Sequence, residues 1–299
     1  MPGTGSGRGS GAPSGAGSGA GSGAGSGASA DGLAPLRLAS FPAPHAFTTR
    51  AGGVSVGPYA SLNLATHVGD DADAVAENRR RALHAAGADP ARTATVRQVH
   101  GATVHDAADA LAAAATGAPP EGDALVATDP GTTVVVAVAD CVPILLATPD
   151  ARAVAAVHAG WRGLVAGVVD AAVAALVARS GADPATLHAA IGPHAGAGAW
   201  AAGRAGYQVG GEVVAALADA GFPADVARPD PTADDRWRVS LEAVTRAALA
   251  RSGLEGAHVA SGAWDTLADE GRFFSHRRAG GATGRQWAWV RTAGAAGGW

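Results

Sequence analysis

The apolar positions crowd into the middle of the chain and are almost absent from its start. Residues 132–148 read TTVVVAVADCVPILLAT. A β-branched run this continuous predicts a strand buried on both faces. Asp140 and Cys141 interrupt it and Pro143 follows, so a bend or bulge is expected there. A second strand is expected at 153–158, running into HAGWRG at 158–163. Leu164, Val165, Val168, Val169, Val173, Leu176 and Val177 recur at helical spacing, which predicts one helix over 164–179 with that face buried. Further strands are expected at 45–50, entering the Gly-rich turn at 51–53, at 95–100 up to Gly101, at 187–191 and at 287–290. Helices are expected over 71–86, 210–220 and 241–251. Their ends carry cap chemistry: Asp71 and Gly87 flank the first, Ser240 and Gly253 the last. Residues 107–120 are Ala-rich and read as a helix or a loose connection. Strands and helices interleave without a repeat or linker, which predicts a single mixed α/β (α+β) domain.

Composition changes this picture at one end. Of 299 residues, those from 3 to 30 are nearly all Gly, Ser, Ala and Pro. Without large side chains to bury, nothing offsets the entropy of ordering them. Residues 1–32 are therefore expected to be a disordered tail, and 33–299 the folded domain. The tail lacks the apolar run of a secretory signal, and no later stretch reaches membrane-spanning length, so a cytoplasmic protein that uses no membrane is expected. The lone cysteine cannot close an intrachain disulfide. All 22 basic residues are Arg. Without lysine there is neither a Schiff base nor a Walker-type phosphate loop. A net charge of -4 with no basic cluster argues against nucleic acid as a partner.

Three residues at strand ends or breaks draw attention: His100, Cys141 and His158, each followed within a few positions by Gly or Pro. Imidazole and thiolate together suit zinc, and three protein ligands leave a fourth position open. No short Cys-x-x-Cys or His-Glu-x-x-His element accompanies them, so the same residues also read as two core histidines and a buried thiol.

Several segments together carry a resemblance: TTRAGGVS at 48–55, SLNL at 61–64, ENR at 77–79, QVHG at 98–101, GDA at 122–124, ADCVP at 139–143, HAGWRG at 158–163, IGP at 191–193, SHRR at 275–278 and TGR at 283–285. In this order they resemble the YfiH-type family, long labelled "laccase domain" or multicopper polyphenol oxidase and now described as purine nucleoside phosphorylases. The resemblance implies two mixed β-sheets packed face to face and flanked by helices, a fold related to the catalytic domain of cytotoxic necrotizing factors. It implies one zinc ion on His100, Cys141 and His158. It also implies phosphorolysis of adenosine, inosine or guanosine with inorganic phosphate as co-substrate, cleavage of methylthioadenosine, and adenosine deamination.

Within that frame Asp140, beside Cys141, is the candidate proton carrier, or else a turn residue. Arg50, Arg277 and Arg278 are candidates for phosphate, because a guanidinium fork matches its oxygens; each also reads as a surface ion pair. Asn63, Asn78 and Gln98 are candidates for base or sugar, or caps of turns. Trp161 reads as a stacking platform or a pocket wall. Two rival functions use the same residues: a copper polyphenol oxidase, and a cysteine hydrolase with Cys141 as nucleophile and His158 as base. A non-catalytic nucleoside-binding role is a third. The chain departs from the family pattern in a longer connection at 194–206, in Gly206 where a cysteine is usual, in Gln208 where an acid is usual, and in Asp265 where a cysteine is frequent. The first departures are expected to reshape the pocket rim.

Overall fold

The strands in chain order are β1 (His45–Phe47), β2 (Thr93–Ala94), β3 (Val104–Asp106), β4 (Ala124–Ala127), β5 (Thr133–Val138), β6 (Val142–Ala147) and β7 (Val154–Ala159). They continue with β8 (His188–Ile191), β9 (Tyr207–Gly210), β10 (Ala227–Pro229), β11 (Arg236–Val239), β12 (Val259–Ser261) and β13 (Gln286–Arg291). The helices are α1 (Ala72–Ala86), α2 (Ala107–Thr116), α3 (Trp161–Val165), α4 (Val168–Ser180), α5 (Gly211–Asp219), α6 (Leu241–Arg251) and α7 (His276–Ala279). This computed structural model describes residues 1–3, 32–198 and 206–294. The expected tail thus lies outside the described residues except at its two ends, as do residues 199–205 of the 194–206 connection.

Two mixed sheets face each other, one ordered β1-β13-β5-β2 and the other β12-β8-β6-β7-β4-β3. Period-two alternation builds the layers. Val134 and Val136 of β5 and Ala288 and Val290 of β13 meet Leu145 and Ala147 of β6 and Val154 and Ala156 of β7 between the sheets. Val135, Trp287 and Trp289 point the other way, among Ala82 and Leu83 of α1. Ile144, Leu146, Ala155 and Val157 turn outward beneath Val169, Val173 and Leu176 of α4 and Val244 and Ala248 of α6. A third sheet, antiparallel β10-β11-β9, adds to the expected pair.

The local expectations meet three corrections. The run at 132–148 is two strands in two different sheets, β5 and β6, joined by residues 139–141. Residues 95–100 form no ladder strand: the N–H groups of Val99 and His100 donate to the Asp123 carboxylate, and the Gln98 amide pairs with both backbone groups of Ala137. The helix expected over 164–179 is two helices, because Gly167 takes φ 82 and cannot continue a right-handed turn. The caps stand where expected: Asp71 accepts from Ala74 N–H, Gly87 is left-handed, and Ser240 accepts from Ala243 N–H.

Candidate metal centre and cleft

The link between β5 and β6 crosses from one sheet to the other and delivers Cys141 to their shared corner. Asp140 makes that crossing with φ 93, and His100 ends its own loop with φ 62. Non-glycine residues occupy that region at a cost of order 1–3 kcal/mol, held by the structure around them. His158 comes from β7, paired with Pro143, two residues after Cys141 in the chain. One ligand atom from each of His100, Cys141 and His158 lies within 4.8 Å of the others, and the Cys141 Sγ to His100 Nε2 distance is 3.8 Å. Donors around a tetrahedral zinc stand roughly 3.3–3.7 Å apart, given bonds of about 2.0–2.3 Å, so the cluster would close by about 1 Å at its widest pair to hold one. Gly160 makes the convergence sterically possible. A Cβ there would lie 3.0 Å from Cys141 Sγ and 3.1 Å from His100 Cδ2.

Asp123, wholly buried, organises the three. Its Oδ1 accepts from His158 Nδ1 at 2.8 Å and from His100 N–H at 2.9 Å, while Oδ2 accepts from Gly101 N–H at 2.7 Å. The first bond fixes the His158 tautomer, so Nε2 carries the lone pair toward the cluster. The other two shape the His100 loop. Burial alone would raise the Asp123 carboxyl, but the His158 ring and these N–H donors hold it below the usual range. Burial likewise opposes ionisation of Cys141, yet the adjoining His158 and His100 outweigh it and bring the thiol down to about 6. Burial works against charge on His158 too, and the thiolate and Asp123 reverse that, raising it to about 9. Both shifts favour the charged forms of the pair.

A cleft of about 340 Å³ opens over the cluster, within the size class of small-molecule sites. Its lining carries Arg162, Arg277, Arg285, His67 and His276, against a single carboxylate among the described residues, Asp140. Asp140 Oδ1 accepts from Thr266 Oγ1 at 2.6 Å and Oδ2 from Arg277 N–H at 2.7 Å. Gln98, Trp161 and Tyr207 complete the polar and aromatic wall. The Arg277 guanidinium lies 4.2 Å from the Tyr207 ring centroid, and that of Arg162 lies 4.3 Å from the Trp161 ring.

Of the residues singled out in the sequence, His100, Cys141, His158, Asp140, Gln98, Arg277 and Trp161 converge on this cleft. Arg50, Arg278, Asn63 and Asn78 stand outside its lining. Arg50 Nε donates to Ala60 O at 2.7 Å and its guanidinium covers Phe274. Arg278 holds the carbonyls of Thr266 and Phe273. Asn63 and Asn78 brace the 54–65 segment, Asn78 donating to the Asn63 carbonyl at 3.0 Å. The departures are placed as well: Gln208 Nε2 turns to Asp230 at 2.5 Å while its carbonyl accepts from Arg277 Nη1 at 2.7 Å, and Asp265 Oδ1 accepts from Gly196 N–H at 2.9 Å. Sequence reasoning gave no role to Asp123, His67, Arg162, Tyr207, His276 or Arg285. Asp123, Arg162, His276 and Arg285 lay within the quoted motifs, but what each faces is set by contacts distant in sequence.

Residues 44–293 match the family described as multi-copper polyphenol oxidoreductase laccase. The chain belongs to this family. Its members include proteins whose names state a different chemistry. A purine nucleoside phosphorylase of Deinococcus radiodurans is 42% identical over 263 residues, covering 87% of this chain and 93% of that protein. One of Corynebacterium glutamicum is 40% identical over 244 residues, covering 80% and 90%. Among solved structures, YlmD of Geobacillus stearothermophilus superposes with TM-score 0.76 at 32% identity, covering 87% of this chain and 96% of that one. The YfiH protein of Bacillus licheniformis gives 0.78 at 26% identity, covering 86% and 96%. The facing mixed sheets described above are thus the architecture of the family.

Proposed function

We propose that this protein is a zinc-dependent purine nucleoside phosphorylase that also deaminates adenosine. The observation that carries the reading is a three-donor cluster of His100, Cys141 and His158 at the floor of a cleft lined by cations, in a family whose named relatives are purine nucleoside phosphorylases. Two imidazoles and one thiolate are a zinc donor set with a fourth position free. Bound there, zinc supplies Lewis acidity and a water of lowered pKa, about 7 in known sites. Adenosine, inosine, guanosine and methylthioadenosine are the proposed substrates, and a reducing cytoplasm suits a free thiol ligand.

The chain's own residues do the rest. Asp123 locks the His158 ring and the His100 loop, so neither donor must reorganise. Trp161 and Tyr207 offer flat faces to a purine, and the arginines hold phosphate beside the sugar. In phosphorolysis a phosphate oxygen bonds to C1′ while the C1′–N9 bond breaks, its electron pair leaving with the purine, which takes up a proton. Asp140, the one carboxylate of the lining among the described residues, is the proposed carrier of that proton. In deamination water adds at C6 and ammonia departs, with Asp140 again moving the proton.

A second reading is favoured by one observation. Cys141, His158 and Asp123 stand as nucleophile, base and orienting acid, with the thiol already lowered to about 6. Copper polyphenol oxidation fits the donors less well. Among the described residues one three-donor group occurs, and the chain has no His-x-His pair to build a copper cluster. Elemental analysis and a nucleoside panel with and without phosphate test the proposal. One zinc per chain and phosphate-dependent cleavage are expected. Full turnover after the metal has been stripped by a chelator would overturn it in favour of the cysteine hydrolase.

A further inference from the structure

One cation of the cleft is built as if an anion were its partner. Arg285 immediately precedes β13, and its backbone is clamped from both sides: its N–H donates to Asn63 Oδ1 at 2.9 Å and its carbonyl accepts from Leu64 N–H at 3.1 Å. Asn63 is itself fully buried and held by Asp70, to which its Nδ2 donates at 2.9 Å. The guanidinium is oriented by two bonds from Nη1, to the carbonyls of Thr283 and Gly284, each at 3.0 Å. Its Nε and Nη2 have no acceptor, and no carboxylate pairs with it, among the described residues. Asp140, the one carboxylate of the lining among the described residues, has both oxygens engaged by Thr266 and Arg277.

The other cleft arginines differ. Arg277 is exposed and gives Nη1 to the Gln208 carbonyl, and Arg162 is exposed and lies over Trp161. Arg285 is half-buried, and its burial lowers its pKa. Taking a cation out of water is unfavourable, and the charges of Cys141 and Asp140 only partly offset it here, so the free side of this guanidinium is a place where a bonded anion gains. His67, on the segment that Asn63 begins, lines the same cleft, and burial together with the charge of Arg285 lowers its pKa. Both side chains line the one cleft.

We propose that Arg285, clamped by Asn63 and accompanied by His67, anchors a phosphoryl dianion, and that this group is the inorganic phosphate co-substrate. The inference rests on the phosphorolysis reading above and deepens it. The free Nε and Nη2 edge of the guanidinium presents two parallel donors to two phosphate oxygens. Asn63 becomes a positioning residue, acting on phosphate through the backbone of Arg285.

The test compares the wild type with Arg285→Gln, Arg285→Lys and Arg277→Gln, after zinc content has been checked in each. Phosphate is varied at saturating inosine, and inorganic phosphate is also titrated calorimetrically without nucleoside. In Arg285→Gln the KM for phosphate should rise about tenfold or more while the KM for inosine moves less than about threefold, with the same weakening in the titration. Arg285→Lys should fall between, keeping a charge but losing the fork. An unchanged phosphate KM in Arg285→Gln overturns the proposal, as does an effect confined to Arg277→Gln. So does weakened binding of nucleoside 5′-monophosphates with an unchanged KM for inorganic phosphate, which would assign the site to a phosphate carried by the substrate. Nucleoside cleavage by the wild type without phosphate would instead refute phosphorolysis itself. The phosphate titration would still report whether Arg285 binds the anion.

Discussion

At the scale of single residues, His100, Cys141 and His158 converge on one corner, and the proposed zinc site needs all three. Removing any one leaves two protein donors, too few to hold a catalytic zinc. His100→Ala, Cys141→Ser and His158→Ala are each expected to lose bound zinc and both activities, read by elemental analysis beside the nucleoside assay. Retention of zinc by any of the three would remove that residue from the ligand set. Asp123→Asn should keep the fold of the corner yet weaken metal binding by about 10–100-fold, measured by competition with a chelator, because it disturbs the His158 tautomer. His45 is a different kind of buried histidine. Its Nε2 accepts from Leu38 N–H and its Nδ1 donates to Ala43 O, so the folded protein holds it neutral. Burial lowers its pKa from 6.5 to about 4, the Ala43 bond opposing and Arg37 assisting. Between those values the unfolded chain binds a proton that the folded chain refuses. The stability is therefore complete above about pH 6.5 and is lost as pH falls toward 4, on the order of 3 kcal/mol in full. Urea unfolding at pH 7 and 5 should show this slope in the wild type and a shallower one in His45→Asn.

At the scale of elements, breaks matter more than the elements they separate. The β5–β6 link and the Gly167 break turn two apolar runs into devices that aim side chains: the first presents Cys141, the second frees α3 to set Trp161 and Arg162 on the cleft. The β9 strand plays a similar part at the rim, since the Gln208 carbonyl holds Arg277 while its amide holds Asp230. Gln208→Glu would face Asp230 with a second carboxylate and shift β9 against Arg277. Relative rates among adenosine, inosine and methylthioadenosine should then change at constant zinc content. Loss of zinc in that variant would mean that β9 supports the metal corner and not the rim.

At the scale of the molecule, the candidate metal corner lies at the shared end of two sheets, and the catalytic reading depends on their being held together by the layer between them. No helix among the described residues is long and apolar enough to cross a membrane. The start of the chain, mostly outside the described residues, is nearly all Gly, Ser, Ala and Pro. Deleting residues 1–30 is expected to leave activity and melting temperature unchanged, and a fall of several degrees in a thermal melt would show otherwise. Much of this architecture was legible along the chain. Caps at Asp71, Gly87 and Ser240, the double-sided burial of residues 132–148 and the interleaving of strands and helices follow from local chemistry, which needs no knowledge of distant neighbours. The motifs likewise held the three residues that converge as a candidate metal site. What the sequence could not determine is which residues face one another. Asp123 gains its importance from bonds to His158, 35 positions away, and Arg285 from a clamp by Asn63, 222 positions away. The split of one apolar run between two sheets has the same origin. Periodicity reports how a segment is buried, whereas the partner across a cleft is chosen by the packing of the whole chain.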